Sequence, residues 1–108
     1  MLAKKRKTYS TEKVQKTKTP RQIERHVKGV ANYRRIEILF VIANNEGITL
    51  DGISHAVKGN VKTISEHAKK MSQSGLIRKY RQGRGVIHCL SPYGKTMHKF
   101  LKAFSTQS

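Results

Sequence analysis

The longest uninterrupted apolar run in this chain is Ile38-Leu39-Phe40-Val41-Ile42-Ala43, and with Ile36 just before it the segment is hydrophobic nearly all round. A helix without a polar face belongs in the middle of a fold, so the remaining elements must pack about it. The run is far shorter than the roughly 18–20 residues that cross a bilayer, and no membrane span is expected. With 36% hydrophobic and 6% aromatic residues in a chain of 108, there is material for one small core and none for a second domain. Cores of that size are marginal, which favours a partner subunit or ligand.

Capping chemistry on either side of the run sets the other elements. Thr19-Pro20-Arg21-Gln22 reads as a helix start, with Thr19 as cap, Pro20 at the first helical position and Gln22 completing a capping box. Ile23, Val27 and Val30 lie on one face of that helix, and Gly29 is expected to weaken it. The central helix spans about residues 32–45 and stops in Asn44-Asn45-Glu46-Gly47. Thr49 caps a short third helix with Leu50, Ile53, Ala56 and Val57 on one face. Lys58-Gly59-Asn60 is then a tight turn in which Gly59 supplies a positive φ and Asn60 caps the next helix. This fourth helix turns Val61, Ile64, Ala68 and Met71 inward and ends at Ser74-Gly75. Beyond Gly75 the period becomes that of strands, over residues 76–81 and 86–90, joined by the tip Gln82-Gly83-Arg84-Gly85 into a β-hairpin. Ser91-Pro92 opens a closing helix with Tyr93, Met97, Phe100, Leu101 and Phe104 on one stripe. The expected class is mainly α with a small β-hairpin (α+β).

The 23 Lys and Arg against 6 Asp and Glu give a formal charge of +17, divided into +7 on residues 1–21 and +10 on residues 22–108. Such a charge repels itself and attracts polyanions, which makes nucleic acid the leading partner on electrostatics alone. Anionic membrane is the other polyanion. The segment before Pro20 has only Leu2, Tyr9 and Val14 as sizeable apolar groups, too few for an amphipathic surface helix. Residues 1–18 cannot bury enough surface to offset ordering and read as a flexible basic arm, either solubilising or DNA-tracking. Residues 19–104 form the folded unit and 105–108 a short tail. No apolar stretch comes after Lys4-Lys5-Arg6-Lys7, so no secretory leader is expected. A cytoplasmic location is the default, at the nucleoid in a prokaryote or in the host cell for a viral protein.

The segment 49–74 is helix, glycine-containing turn, helix, an arrangement in which the second helix enters the major groove of duplex DNA. Its core face leaves over Lys62, Thr63, Glu66, Lys69 and Lys70, with Asn60 at the N-terminal end, where backbone N–H groups can meet a phosphate. Lys, Thr and Glu can address guanine, the thymine methyl and the cytosine amine respectively, while Lys69 and Lys70 suit the phosphate backbone.

In order and spacing, five stretches resemble the winged helix-turn-helix regulators of the ArsR-like and MarR-like kind, over about residues 30–104. They are Tyr33-Arg34-Arg35-Ile36-Glu37-Ile38-Leu39, Ile64-Ser65-Glu66-His67-Ala68, Ser74-Gly75-Leu76-Ile77, Arg81-Gln82-Gly83-Arg84-Gly85-Val86-Ile87 and Leu90-Ser91-Pro92-Tyr93-Gly94-Lys95. The resemblance implies a recognition helix over about residues 60–74 and a wing over 76–90 whose tip lies along or in the minor groove. It would give that role to Arg84, flanked by Arg81, Lys79 and Arg78, since a narrow minor groove attracts an inserted arginine. The alternative is a solvated hairpin tip. The chain departs from the family pattern at Gly59, where an apolar residue is usual, and at Ala68, where leucine is usual. Metal-sensing members carry paired cysteines on the first helix of the motif, where this chain has Leu50-Asp51-Gly52-Ile53-Ser54-His55. Others use His and acidic pairs on the closing helix, where it has His98.

His26, His55, His67, His88, His98 and the single Cys89 include no pair at i, i+3 or i+4, so no metal site is expected, and one cysteine forms no internal disulfide. His67 reads as structural and Cys89 as a small, buried or half-buried hydrophobe, with a redox-sensing role as the alternative. Scattered acids, with neither a glycine-rich phosphate loop nor a nucleophile elbow, leave catalysis unsupported and imply no cofactor.

The sequence therefore reads as a non-enzymatic regulator of transcription that binds double-stranded DNA as a homodimer. The dimer rests on Met97, Phe100, Leu101 and Phe104 together with Ile23 and Val27, more apolar surface than one small core needs. The alternative is that this stripe closes the monomer's own core. Two further readings stay open: an RNA-binding structural protein of the ribosomal winged-helix kind, and a non-specific chromatin or replication-associated protein. Thr63 and Glu66 favour DNA, because an RNA clamp needs mainly Lys and Arg at such positions.

Overall fold

The computed structural model describes residues 17–107. In chain order it contains α1 (Pro20–Val30), α2 (Tyr33–Asn44), β1 (Ile48–Thr49), α3 (Leu50–Val57), α4 (Val61–Gln73), β2 (Ile77–Gln82), β3 (Gly85–Leu90) and α5 (Pro92–Ser105). Residues 1–16 of the expected arm, and Ser108, lie outside the described residues. As its all-round apolarity requires, α2 is central: Ile38, Leu39 and Ile42 are sealed from solvent. Around them sit Val30 of α1, Ile53 of α3, Ile64, Ala68 and Met71 of α4, and Leu76, Ile77 and Leu90 from the base of the hairpin.

The helices begin where side chains can take up their orphan N–H groups. Thr19 and Gln22 exchange hydrogen bonds, the Thr19 N–H donating to Gln22 Oε1 at 2.8 Å and the Gln22 N–H to Thr19 Oγ1 at 3.2 Å. Asn32, Thr49, Asn60 and Ser91 cap α2 to α5 with their side-chain oxygens. At its other end α4 is closed by Gly75 (φ +78), with the Leu76 N–H on the Met71 carbonyl and the Gly75 N–H on that of Ser72, both at 3.0 Å.

Several local expectations need correction. Between α3 and α4 the positive φ belongs to Lys58 (φ 54) and not to Gly59. Gly59 is demanded by space instead, since a Cβ there would lie 2.8 Å from Ile64 Cδ1. Gly29, expected to weaken α1, stands one residue before its end at Val30. It lets the helix lie against Ser74, whose Cβ would be 2.3 Å from an added methyl. Ala56 and Val61 are exposed. The inward stripe of α3 is 50, 53, 54, 57, which leaves Ala56 outside and brings in Ser54, while Val61 sits at the first position of α4, on its open end. The Ser54 hydroxyl is buried and donates to the Gly59 carbonyl at 2.5 Å.

The sheet has one more strand than the sequence suggests. Its order is β1-β3-β2, all antiparallel, with Ile48 opposite His88 and Thr49 opposite Ile87. Two residues are too few to show alternation, so β1 exists only through its pairing. In the hairpin Gln82 pairs with Gly85, so the tip shortens to Gly83-Arg84, and only Gly83 has positive φ (+61), the pattern of a type II′ turn.

Candidate nucleic-acid interface

Packing Ile64, Ala68 and Met71 inward leaves the opposite arc of α4 to solvent. Lys62, Thr63, Glu66, Lys69 and Lys70 all lie on that arc and all are exposed. Asn60 is exposed too, but its side-chain oxygen accepts from the N–H groups of Lys62 (2.9 Å) and Thr63 (3.2 Å). Those two donors are therefore spent on the cap rather than left for a phosphate.

The attitude of α4 is fixed by two arginines to which sequence reasoning gave no role. Arg34 donates to the Val57 carbonyl at 2.5 Å and to Glu37 Oε1 at 3.0 Å, and reaches the Lys58 carbonyl at 3.5 Å. It thereby ties the start of α2 to the turn before α4. There Lys58 occupies the left-handed region, at a cost of roughly 1–2 kcal/mol for a residue with a Cβ. The neighbouring Arg35 donates from Nε to His67 Nδ1 at 3.1 Å, a bond that requires an unprotonated ring nitrogen. Burial, then the charges of Arg35 and Arg34, hold the His67 pKa below 6.5. His67 is thus a neutral acceptor bracing α4 against α2.

On the wing, Lys79 and Arg81 share one face of β2 and face His88 and Val86 of β3, while Arg78 and Tyr80 lie on the other. Lys79, Arg81 and the tip residue Arg84 are exposed. The base of the wing is locked by His88, which is buried and donates from Nδ1 to the Ile48 carbonyl at 3.1 Å. Burial lowers its pKa, opposed by the Ile48 bond and assisted by Lys79. Burial also pushes the Cys89 thiol up, so its thiolate, the reactive form, is disfavoured. Among the described residues no three His, Cys, Asp or Glu side chains converge as metal ligands, and no helix is long and apolar enough to cross a membrane.

The C-terminal end of α4 is a junction that the sequence did not reveal. From α1, Arg25 donates to the Gln73 carbonyl at 3.0 Å and His26 Nδ1 to that of Ser74 at 2.6 Å. From the start of α5, the Ser91 hydroxyl donates to the Gly75 carbonyl at 2.5 Å and the Ser91 N–H to that of Leu76 at 3.0 Å. Helices α1, α4 and α5 and the hairpin all meet at residues 73–77.

Away from α4, α1 and α5 form an apolar groove of about 640 Å³, lined among others by Ile23, Val27, Tyr93, Met97 and Phe100. Met97 and Leu101 also pack against the protein's own core. Ile23 (49%), Val27 (45%), Phe100 (60%) and Phe104 (61%) stay exposed, with the two phenylalanine rings stacked 6.0 Å apart.

No family model and no curated protein matches this sequence. Solved structures do share its fold. The homodimeric winged helix-turn-helix DNA-binding domain of a possible ArsR-family transcriptional regulator from Mycobacterium bovis superposes with a TM-score of 0.73 at 19% identity, over 93% of this chain and 89% of that one. HlyU from Vibrio cholerae gives 0.72 at 22% identity, over 90% and 97% of the two chains. The transcriptional repressor PagR of Bacillus anthracis gives 0.69 at 21% identity, over 75% and 93%.

Proposed function

We propose that this chain, which has the winged helix-turn-helix fold with α3 and α4 as the helix-turn-helix and β2–β3 as the wing, is a transcriptional regulator that binds duplex DNA as a homodimer. In this reading α4 lies in the major groove, with Lys62, Thr63 and Glu66 toward base edges and Lys69 and Lys70 toward phosphates. The wing tracks the backbone with Lys79 and Arg81 and offers Arg84 to the minor groove. The observation that carries the proposal is the division of α4 into a sealed apolar face and an exposed face on which threonine and glutamate stand among lysines. A surface selected for charge alone would not place an acid there. The test is a binding titration of the protein with duplex DNA, single strands and structured RNA under one buffer. Duplex DNA should bind tightest; a preference for structured RNA would refute the assignment.

Dimerisation is proposed through the α1–α5 face. A second copy is the occupant that suits it, because a two-fold pair sets one apolar stripe against its own image and covers both at once. The Mycobacterium bovis domain, similar over most of the chain, is homodimeric. Sedimentation equilibrium at tens of micromolar protein should find a dimer, and Phe100→Ser with Phe104→Ser should shift it to monomer. A wild-type monomer at that concentration would sink this part of the account.

A further inference from the structure

A second concavity, of about 550 Å³, lies where α1, the end of α4, the base of β2 and the start of α5 meet. Its lining includes Lys18, Arg25, Arg78 and Lys79 and no carboxylate. None of these four cations belongs to an ion pair among the described residues. One wall is His26, which is only 7% exposed. With Nδ1 donating to the Ser74 carbonyl, its Nε2 is left buried without a hydrogen-bond partner. A buried polar atom in that condition is destabilising, and any group that supplies a partner recovers the loss. Tyr93 lies against the His26 ring with centroids 4.8 Å apart, and Lys18 Nζ sits 3.8 Å above the Tyr93 ring.

We propose that this groove is a binding site for a small phosphorylated molecule that regulates the protein. Its volume is that of a small-ligand site. Phosphate chemistry is the match because two arginines and two lysines are among the lining residues with no acid among them, and a guanidinium pairs with phosphate oxygens through two parallel bonds. With Nδ1 donating to Ser74, His26 Nε2 can accept the proton of a P–OH group. The regulatory route is a shared wall. Lys18, His26 and Tyr93 line both this groove and the apolar α1–α5 groove, while Arg78 and Lys79 belong to the base of the wing. Occupancy is therefore felt at the dimer face and at the wing together. That consequence rests on the proposed DNA binding; the binding of the small molecule does not.

Inorganic pyrophosphate, titrated into the full chain while backbone amide shifts are monitored by NMR, tests the site without any nucleic acid present. Saturable shifts should cluster at Arg25, His26, Gly75, Arg78 and Lys79. Arg25→Gln should weaken binding about tenfold, as for one lost charge-assisted bond, and Lys102→Gln, which removes the same charge from α5 outside the groove, should change it by less than about twofold. Lys18→Gln, outside the core, gives the same readout should Arg25→Gln disturb the fold. Shifts spread over all the lysines, or equal losses in Arg25→Gln and Lys102→Gln, would mean general charge attraction and overturn the proposal. Duplex DNA is the other source of phosphate. If the groove held backbone phosphates, Arg25→Gln would weaken duplex binding as much as pyrophosphate binding, and that too would overturn it. A small-molecule site requires that Arg25→Gln leave duplex affinity unchanged without pyrophosphate and abolish the effect of pyrophosphate on it.

Discussion

Replacing Thr63 and Glu66 together by alanine should cut the preference for the protein's best duplex over an unrelated one by about 30-fold or more, because two base-edge contacts, each worth at least about 1 kcal/mol of discrimination, are lost together. Affinity for the unrelated duplex should hold or rise, since an acid has left a surface that faces phosphates. Both side chains are exposed and alanine is the better helix former, so the variant should remain folded. Arg84→Ala supplies the contrast. A tip arginine that answers the potential of the minor groove adds affinity for many sequences, so its loss should weaken all duplexes by a similar factor, about tenfold, and leave their ranking intact. Fluorescence anisotropy with two labelled duplexes measures both quantities. An unchanged ranking in the double variant would remove α4 from the groove.

The other large effect is on folding. Gly94→Ala should destabilise the protein by about 3 kcal/mol or more, the upper part of the range for overfilled sites. An added Cβ would lie 2.0 Å from the Leu76 carbonyl oxygen and 3.0 Å from its carbon. Both are backbone atoms that no rotamer change can clear. Gly94 is buried in the first turn of α5, where its N–H donates to Ser91 Oγ at 3.0 Å. The Ser91 hydroxyl in turn holds the Gly75 carbonyl, so the clash falls on the junction that seats α4, the hairpin and α5 together. For a domain of this size the loss corresponds to a fall in Tm of roughly 12–24 °C. Thermal unfolding monitored by circular dichroism reads it directly. Gly83→Ala should cost less, because its Cβ would meet nothing within 4 Å and only the positive φ is strained.

Much of this architecture was legible because it is written in local chemistry. Thr19, Thr49, Asn60 and Ser91 each declare a helix start by side-chain type, and Gly75 declares a stop. The outward residues of α4 are those positions that its core face does not use. Sequence could not supply the features set by contact between distant segments. Glycines at 29, 59 and 94 look alike in a sequence, yet each is required by a different neighbour: Ser74, Ile64 and the Leu76 backbone. Strand β1 exists only because β3 lies beside it. The roles of Arg34 and Arg35 depend on carbonyls and a ring 7 to 32 residues away in the non-local bonds they make. His26 likewise has no signal of its own, because its partner, the Ser74 carbonyl, belongs to a turn 48 residues on.

The measurement that bears most directly on the central claim is the affinity for a preferred and an unrelated duplex across a range of salt. Every phosphate contact makes affinity fall with salt, with a slope of about −0.9 per contact on logarithmic axes, whereas contacts to base edges do not. If α4 reads the major groove, both duplexes weaken as salt rises but the gap between them persists, and Arg84→Ala makes the slope shallower by about one. If instead duplex DNA, single strands and structured RNA all lose affinity in parallel and none is preferred at any salt, the protein is held by charge alone and the groove-reading account is wrong.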